Sequence, residues 1–296
     1  MKIAYLILCH KNSHQIERLI KQLNTQNTDF YLHIDKKATN VKLMPRDNVY
    51  YVDDKERVDV QWATISMVYA TMALVKKALN TNIKYDYYFL ISGQDFPIKS
   101  NEYIESFLNE NKGKNFIQVL SHSDPMYTRY KKRNVLYYPN WMFSQKTIVK
   151  ILRKIYILIS GGYKNTFKVF RRKLFANITF EYGSQWWGLE RKCLVWIYNY
   201  LKKNNNLNKI FGNSLTPDEC VFQTVFMMSP FNGTQKDKLV YLEWSKNRNN
   251  PKVLTKADFN SLLDDKQNLF ARKFDESVDS KIIDCMEKFT NNSRTN

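Results

Sequence analysis

The sequence lacks the short motifs that mark the common cofactor and metal enzymes. None of its 8 glycines builds a GxGxxG or GxxxxGK pattern, which excludes a Rossmann fingerprint and a P-loop. No HExxH occurs, and His10, His14, His33 and His122 have no metal-ligand partners at the usual spacings. Cysteine is sparse: Cys9, Cys193, Cys220 and Cys285 form neither a CxxC pair nor a Cys/His cluster, so no zinc site or disulfide framework is signalled, and a reducing cytoplasm is expected. Asp-x-Asp, the pair with which many nucleotide-sugar enzymes hold a divalent cation, is missing as well. A diphosphate substrate would have to be neutralised by side chains alone.

Long hydrophobic runs are also absent. "IAYLILC" near the N-terminus is too short to span a bilayer and runs into a polar segment with no export-type cleavage site behind it. A first buried strand is expected there, with no signal peptide or transmembrane helix. Acidic residues are missing from one stretch: none lies between Pro125 and Phe180, where 13 Lys and Arg fall between Arg129 and Lys173. Most of the net charge of +18 therefore sits in one middle segment. Such a block is a solvated face, a nucleic-acid surface or a patch drawn to anionic lipid. Within it, Ile148, Ile151, Leu152, Ile155 and Ile159 share one face of a basic amphipathic helix whose Lys146, Lys150, Arg153 and Lys154 point elsewhere.

What is present suits a globular α/β protein. The 296 residues are 44% hydrophobic and 15% aromatic, enough for a sizeable core. Apolar runs at "IAYLILC", "DFYLHID", "NVYYV", "YDYYFLIS" and "NFIQVL" alternate with helical patterns behind Ser13, which stands in a cap position, and over "WATISMVYATMALVKKAL" and "NEYIESFLNEN". This alternation predicts a mostly parallel sheet covered by helices on both faces. The second half is less regular. A strand is expected in "ITFEYGSQWWGL" ahead of a Gly-flanked turn, helices in "ERKCLVWIYNYLKKN" and "TPDECVFQTVFMM", a strand in "DKLVYLEW", and a capped helix in "TKADFNSLL". No linker divides the chain. We read it as one domain, 1–296, with a nucleotide-binding half (1–122), a basic insertion (123–180) and an acceptor and catalytic half (181–296).

In open sheets of this kind ligands gather at the carboxyl ends of strands. That places His10 in "CHKN", Asp35 in "HIDKK" and Asp95 in "SGQDFPIK" as site candidates; Asp95 equally suits backbone groups of its own turn. "TPDE" carries two readings. Thr216, Pro217 and Glu219 fit an N-cap, a first-turn proline and a capping box, and Glu219 beside Asp218 also fits a general base on an acceptor hydroxyl. Trp186 and Trp187 point to opposite sides of an extended chain, so one can be core while the other faces a cleft. Arg272 and Lys273 in "LFARKFD" pair a fork with a point charge, suited to a diphosphate, and Arg248 and Lys252 in "NRNNPKVL" are further candidates.

The stretches "AYLILCHKN", "FYLHIDKK", "FLISGQDFPIKS", "YGSQWWGL", "TPDECVFQTV", "NPKVLT" and "LFARKFD" follow one another in the order of the Core-2/I-branching β-1,6-N-acetylglucosaminyltransferase family, which includes the peptide O-xylosyltransferases. The chain resembles that family over nearly its whole length, as a bacterial-type member without the luminal members' disulfide cysteines and N-terminal anchor; the stretch from Arg129 to Lys173 matches no family segment. The resemblance implies a GT-A-type α/β fold without Asp-x-Asp and with an embellished C-terminal half. It implies Glu219 as the base, Arg272 and Lys273 on the diphosphate, Asp35 near the nucleoside, and Trp186 and Trp187 framing the sugar or acceptor. The expected activity is inverting, metal-independent and cofactor-free transfer of N-acetylglucosamine or xylose from a UDP-sugar to a glycan or lipid-linked saccharide in surface polysaccharide synthesis, on the inner face of a membrane. Two alternatives are a basic nucleic-acid-binding protein and an inactive glycan-binding module. The first lacks any recognition-helix, RRM or zinc motif, so no nucleic-acid partner is expected.

Overall fold

Every side chain of strand β1 (Ile3–Cys9) is buried, because parallel strands run along both its flanks and both its faces are covered. The computed structural model describes residues 1–136, 138–144, 146–162, 165, 178–204, 210–244 and 251–292. β1 lies between β2 (Thr28–Ile34) and β4 (Tyr87–Ser92), and β3 (Val49–Tyr51) lies outside β2, all parallel. On the other flank of β4 come β7 (Trp187–Glu190), β6 (Asn115–Ile117) and β8 (Gln235–Lys236), completing a sheet of order β3-β2-β1-β4-β7-β6-β8. Only β7 runs antiparallel to its neighbours, so the sheet is mostly parallel, as expected.

One expected strand is displaced, and β8 has no counterpart in the sequence reading. The expected strand before the tryptophans is irregular, and β7 begins at Trp187 instead. Its position is fixed by long-range pairing, Leu189 against Tyr88 and Gly188 against Phe89. A Cβ on Gly188 would lie 2.3 Å from the Phe89 ring, so only glycine lets β7 cross there. Local alternation carries no trace of such a constraint.

One face of the sheet carries a stack of aromatics. Tyr5 lies 5.6 Å from Phe30 and 6.0 Å from Phe89, and Phe270 closes over both Tyr5 and Phe89. Such ring pairs contribute about 0.5–1.5 kcal/mol each beyond their buried area. Phe270 belongs to a second, smaller sheet in which β10 (Phe270–Arg272) pairs antiparallel with β5 (Asp95–Pro97) and parallel with β9 (Val240–Leu242). Helix α3 (Asn101–Glu110) covers the same face further along, through Phe107 on Phe116. The opposite face is packed by α2 (Ser66–Leu79) and α6 (Arg191–Lys203), which also touch each other.

Helix α1 (Ser13–Leu23) starts one residue differently from expectation. Asn12, in a left-handed conformation, holds the cap position without a side-chain bond, and the Ser13 hydroxyl accepts instead from Lys42 N at 3.0 Å. The capping box of "TKAD" is present, with Thr255 and Asp258 bonding reciprocally ahead of α8 (Phe259–Asp264). Helices α4 (Pro125–Val135) and α9 (Lys281–Asn292) had no counterpart in the sequence reading. Between them, α5 (Thr147–Ile159) is the basic amphipathic helix, and α7 (Val221–Met227) follows the "PDE" turn. All four cysteines are free thiols. Among the described residues no helix is long and apolar enough to cross a membrane.

Candidate active site

The carboxyl ends of β1, β2 and β4 are tied together. Asp35 N donates to Cys9 O at 2.8 Å, and Gly93 N donates to Leu8 O at 3.0 Å. His10, Lys11, Asp35 and Asp95 follow directly on these ends. The register of β10 on β5 then sets Arg272 opposite Asp95. Arg272 Nη1 lies 3.3 Å from Asp95 Oδ1 and 3.4 Å from Ser92 Oγ, and the guanidinium lies over the Trp186 ring at 4.1 Å. Asp95 is fully buried, and its other oxygen accepts from Ser92 N. Its Oδ1 has the ion pair but no aligned hydrogen bond. Burial pushes the Asp95 carboxyl up and the Arg272 guanidinium down, and the attraction between them opposes both shifts. Asp95 thus serves its turn and holds Arg272.

Positive charge is crowded along this edge. The Lys273 ammonium is pushed down by burial, then by Arg272 and Lys11. His10 is pushed down by burial, then by Lys11 and Lys273. An anion bound here would relieve that mutual repulsion. Lys11, which the sequence reading did not single out, is fixed by Asp275 at 2.5 Å. Burial opposes ionisation of Asp275, but hydrogen bonds from Lys11, Ser277 and Asn12 outweigh it and hold the carboxyl well below the usual range. Asp35 accepts from Lys37 N at 3.0 Å and from Val60 N at 3.5 Å, so the loop beyond it is folded onto its carboxylate. His33 is buried and accepts from Val58 N at 2.9 Å; burial pushes it down to about 4, so it is a neutral structural group.

Glu219 sits in a 3-10 turn, Pro217–Glu219, rather than in a regular helix start. Thr216 has φ of 49°, a left-handed backbone that an N-cap, being extended, does not have. The capping box expected of "TPDE" is therefore not formed. The Thr216 hydroxyl accepts instead from Arg133 Nη1 at 2.7 Å, and the same nitrogen donates to Glu219 Oε2. The Arg133 guanidinium also lies 3.8 Å from the centre of the Tyr130 ring. Glu219 keeps about a quarter of its side chain open to solvent, 26%. Asp218 beside it is buried, with Oδ1 lacking any partner, and its carboxyl is pushed up to about 7 by burial and then by the Glu219 charge.

The stretch from Gly183 to Trp187 connects this turn to the cationic edge. Gly183 N donates to Glu219 O at 3.0 Å, and a Cβ at Gly183 would lie 1.8 Å from Gln118 O. Gln223 Nε2 donates to Ser184 O at 2.6 Å, and Trp186 carries Arg272. On the far side, Thr216 N donates to Ala63 O at 2.9 Å, joining the turn to the loop that holds Asp35. The framing role expected of both tryptophans is corrected for Trp187. It is 2% exposed and packs on Phe222 at 5.6 Å, inside the core.

Lys252 gives its ammonium to Asp258 at 2.6 Å and Glu243 at 3.1 Å, while its carbonyl accepts from Lys273 N at 3.3 Å. It thus props the backbone of Lys273 while its own charge is already matched. Arg248 lies outside the described residues. Arg133 and Tyr130 were missed by sequence reasoning because they stand in a stretch with too many basic residues for any one to be distinctive. Among the described residues no three His, Cys, Asp or Glu side chains converge as metal ligands.

Comparison with known proteins gives one family. The model of the Core-2/I-branching enzyme matches residues 3–263. Over 97% of its length the chain is 24% identical to beta-1,3-galactosyl-O-glycosyl-glycoprotein beta-1,6-N-acetylglucosaminyltransferase 4 of Danio rerio, covering 69% of that protein. It is 22% identical to xylosyltransferase 2 of Rattus norvegicus and to xylosyltransferase oxt of Drosophila pseudoobscura pseudoobscura, over 97% and 98% of its own length. The chain spans 33% of the length of each of these two xylosyltransferases.

Proposed function

Since the chain belongs to the Core-2/I-branching enzyme family, a family of glycosyltransferases, we propose that it moves N-acetylglucosamine or xylose from a UDP-sugar to a hydroxyl of a glycan or lipid-linked saccharide. We assign the reaction to a single inverting displacement on a GT-A-type fold, without a metal ion. The acceptor oxygen attacks the anomeric carbon from the side opposite UDP, Glu219 takes the hydroxyl proton, and the bond from the anomeric carbon to the diphosphate oxygen breaks with its electron pair leaving on UDP. UDP departs as an anion, so no second carboxylate is needed to protonate it.

The observation that carries this reading is the cationic edge: Arg272, braced between Asp95 and Trp186, beside Lys273 and Lys11. A fork and two point charges at strand ends offer preorganised stabilisation of negative charge as it develops on the leaving group. Glu219 supplies the complementary part, a partly exposed carboxylate aimed by Arg133.

The test is a glycosyl-transfer assay over a panel of UDP-sugars, with and without excess EDTA, on the wild type and on Glu219→Gln. Turnover that survives EDTA and is lost in the variant supports the reading. Loss of turnover on chelation overturns metal independence, and an active variant removes Glu219 from the base role. UDP binding with glycan binding and no turnover under any condition assigns the inactive glycan-binding module instead.

A further inference from the structure

Helix α5 is mounted with its apolar stripe outward. Its packing side is small: Tyr156 and Ile157 rest on a satellite cluster of Tyr138 and Met142, Trp141 meets Tyr156 edge-on at 5.7 Å, and Arg153 Nη1 donates to Met142 O at 2.7 Å. No residue of the helix is buried. Ile148, Ile151, Leu152, Ile155, Leu158 and Ile159 recur at helical spacing and are all exposed, Leu158 and Ile159 at 79% and 80%. An amphipathic helix of a globular protein ordinarily turns such a stripe to the core. A contiguous aliphatic strip left in water marks a contact surface.

The surroundings say what kind. Lys154 flanks the stripe, Lys146 and Lys150 lie on the other side of the helix where Arg153 is held by Met142 O, and the sequence from Pro125 to Phe180 has no acidic residue, so the stripe is set in a surface of one sign. The complement of this surface is an apolar layer under a sheet of negative charge. At 13 residues the helix is about 20 Å long, short of the roughly 30 Å of a bilayer core. It can lie in an interface but cannot cross one.

We propose that α5 is an interfacial anchor for an anionic lipid bilayer, its aliphatic stripe set at the edge of the acyl chains and the lysines of the helix and of the acid-free segment around it drawn to the head groups. The anchor is independent of the donor and of the catalytic residues, and it would hold the protein where membrane-borne acceptors are. Vesicle binding is therefore measured without any turnover.

The experiment is co-sedimentation of the whole chain with vesicles of phosphatidylcholine alone and of phosphatidylcholine with phosphatidylglycerol. The wild type is expected to pellet with the anionic vesicles at low salt, to stay in solution with the neutral ones, and to be released as salt rises. Ile155→Glu with Leu158→Glu, at exposed positions, is expected to keep the melting temperature and to lower partitioning at least about tenfold. Failure of the wild type to pellet with anionic vesicles overturns the proposal, as does equal pelleting with neutral ones or equal pelleting of the double variant. A wild-type dimer that the double variant dissolves, with no vesicle binding in either, assigns the stripe to self-association and overturns it too.

Discussion

Arg133 reaches Glu219 across 86 residues of sequence, and with one nitrogen it holds both the Glu219 carboxylate and the Thr216 hydroxyl. The contact leaves about a quarter of the side chain open to solvent. Arg133→Met is expected to lower kcat by about 10- to 100-fold while leaving UDP affinity within about twofold, since it misaligns the base without touching the donor edge. Glu219→Gln, which removes the base itself, is expected to cost about 10²–10⁴-fold in kcat. Steady-state kinetics with calorimetric UDP binding checks both. Loss of UDP affinity in the Arg133 variant would place Arg133 at the donor instead.

Arg272 and Lys273 are expected to separate when mutated, although they are neighbours. Removing the Arg272 guanidinium leaves the fully buried Asp95 without its ion pair. Arg272→Met should therefore destabilise the protein by about 3–5 kcal/mol and weaken UDP binding together. Lys273→Ala, at a half-buried position, should raise the Kd for UDP about tenfold or more with little change in unfolding free energy. Urea titration beside a UDP binding isotherm distinguishes the two.

Gly183→Ala is a structural test of the connection between the turn and the sheet. The added Cβ would collide with the Gln118 carbonyl and push away the peptide that donates to Glu219 O. A loss of about 1–3 kcal/mol of stability is expected, with a fall in kcat larger than for other variants equally destabilised. Activity that tracks stability alone would show that this peptide does not position the base.

Asp218 predicts a pH dependence of stability. Its carboxyl titrates near about 7 in the folded protein, above its ordinary value of 3.8. The folded state therefore holds the proton more tightly than the unfolded chain. The stabilisation this proton brings is complete below the ordinary value and disappears as pH rises through about 7. Asp218→Asn has no such proton to lose, so its stability relative to the wild type should climb between about pH 4 and about pH 7, by at most about 4 kcal/mol, and level off above. Chemical denaturation of both proteins across that range measures it. A flat difference would mean that this carboxyl does not change charge on folding.

The central strands were legible because each is a run of six or seven residues with buried apolar side chains, long enough to read without context. The second sheet was legible only in part: β9 falls within the strand expected in "DKLVYLEW", whereas β5 and β10 have three residues each, too few for alternation to register, and only pairing defines them. Helix α4 did carry a signal that went unread, since Asp124 before Pro125 is an N-cap, and its Oδ1 accepts from Met126 N at 2.7 Å.

The candidate site divides the same way. Asp35 and Asp95 stand just beyond long strands, so a reading of strands locates them, whereas Arg272 and Lys273 were found from the chemistry of the pair and the resemblance of "LFARKFD" rather than from a strand. Arg133 belongs to the site through tertiary contact alone. The conformation of Thr216 is likewise invisible in "TPDE", which spells a helix cap as well as it spells this turn.

Because Arg272 and Lys273 stand at the end of β10 while His10 and Lys11 follow β1, the proposed phosphate-binding edge is assembled from early and late parts of the polypeptide. During synthesis the first half can build its parallel strands while His10 and Lys11 still face solvent without their counterparts. On the proposed reading, the grip on a nucleotide is completed only when the final strand docks, so a nascent or clipped chain that already looks folded by its helices and strands would lack Arg272 and Lys273 at its donor edge.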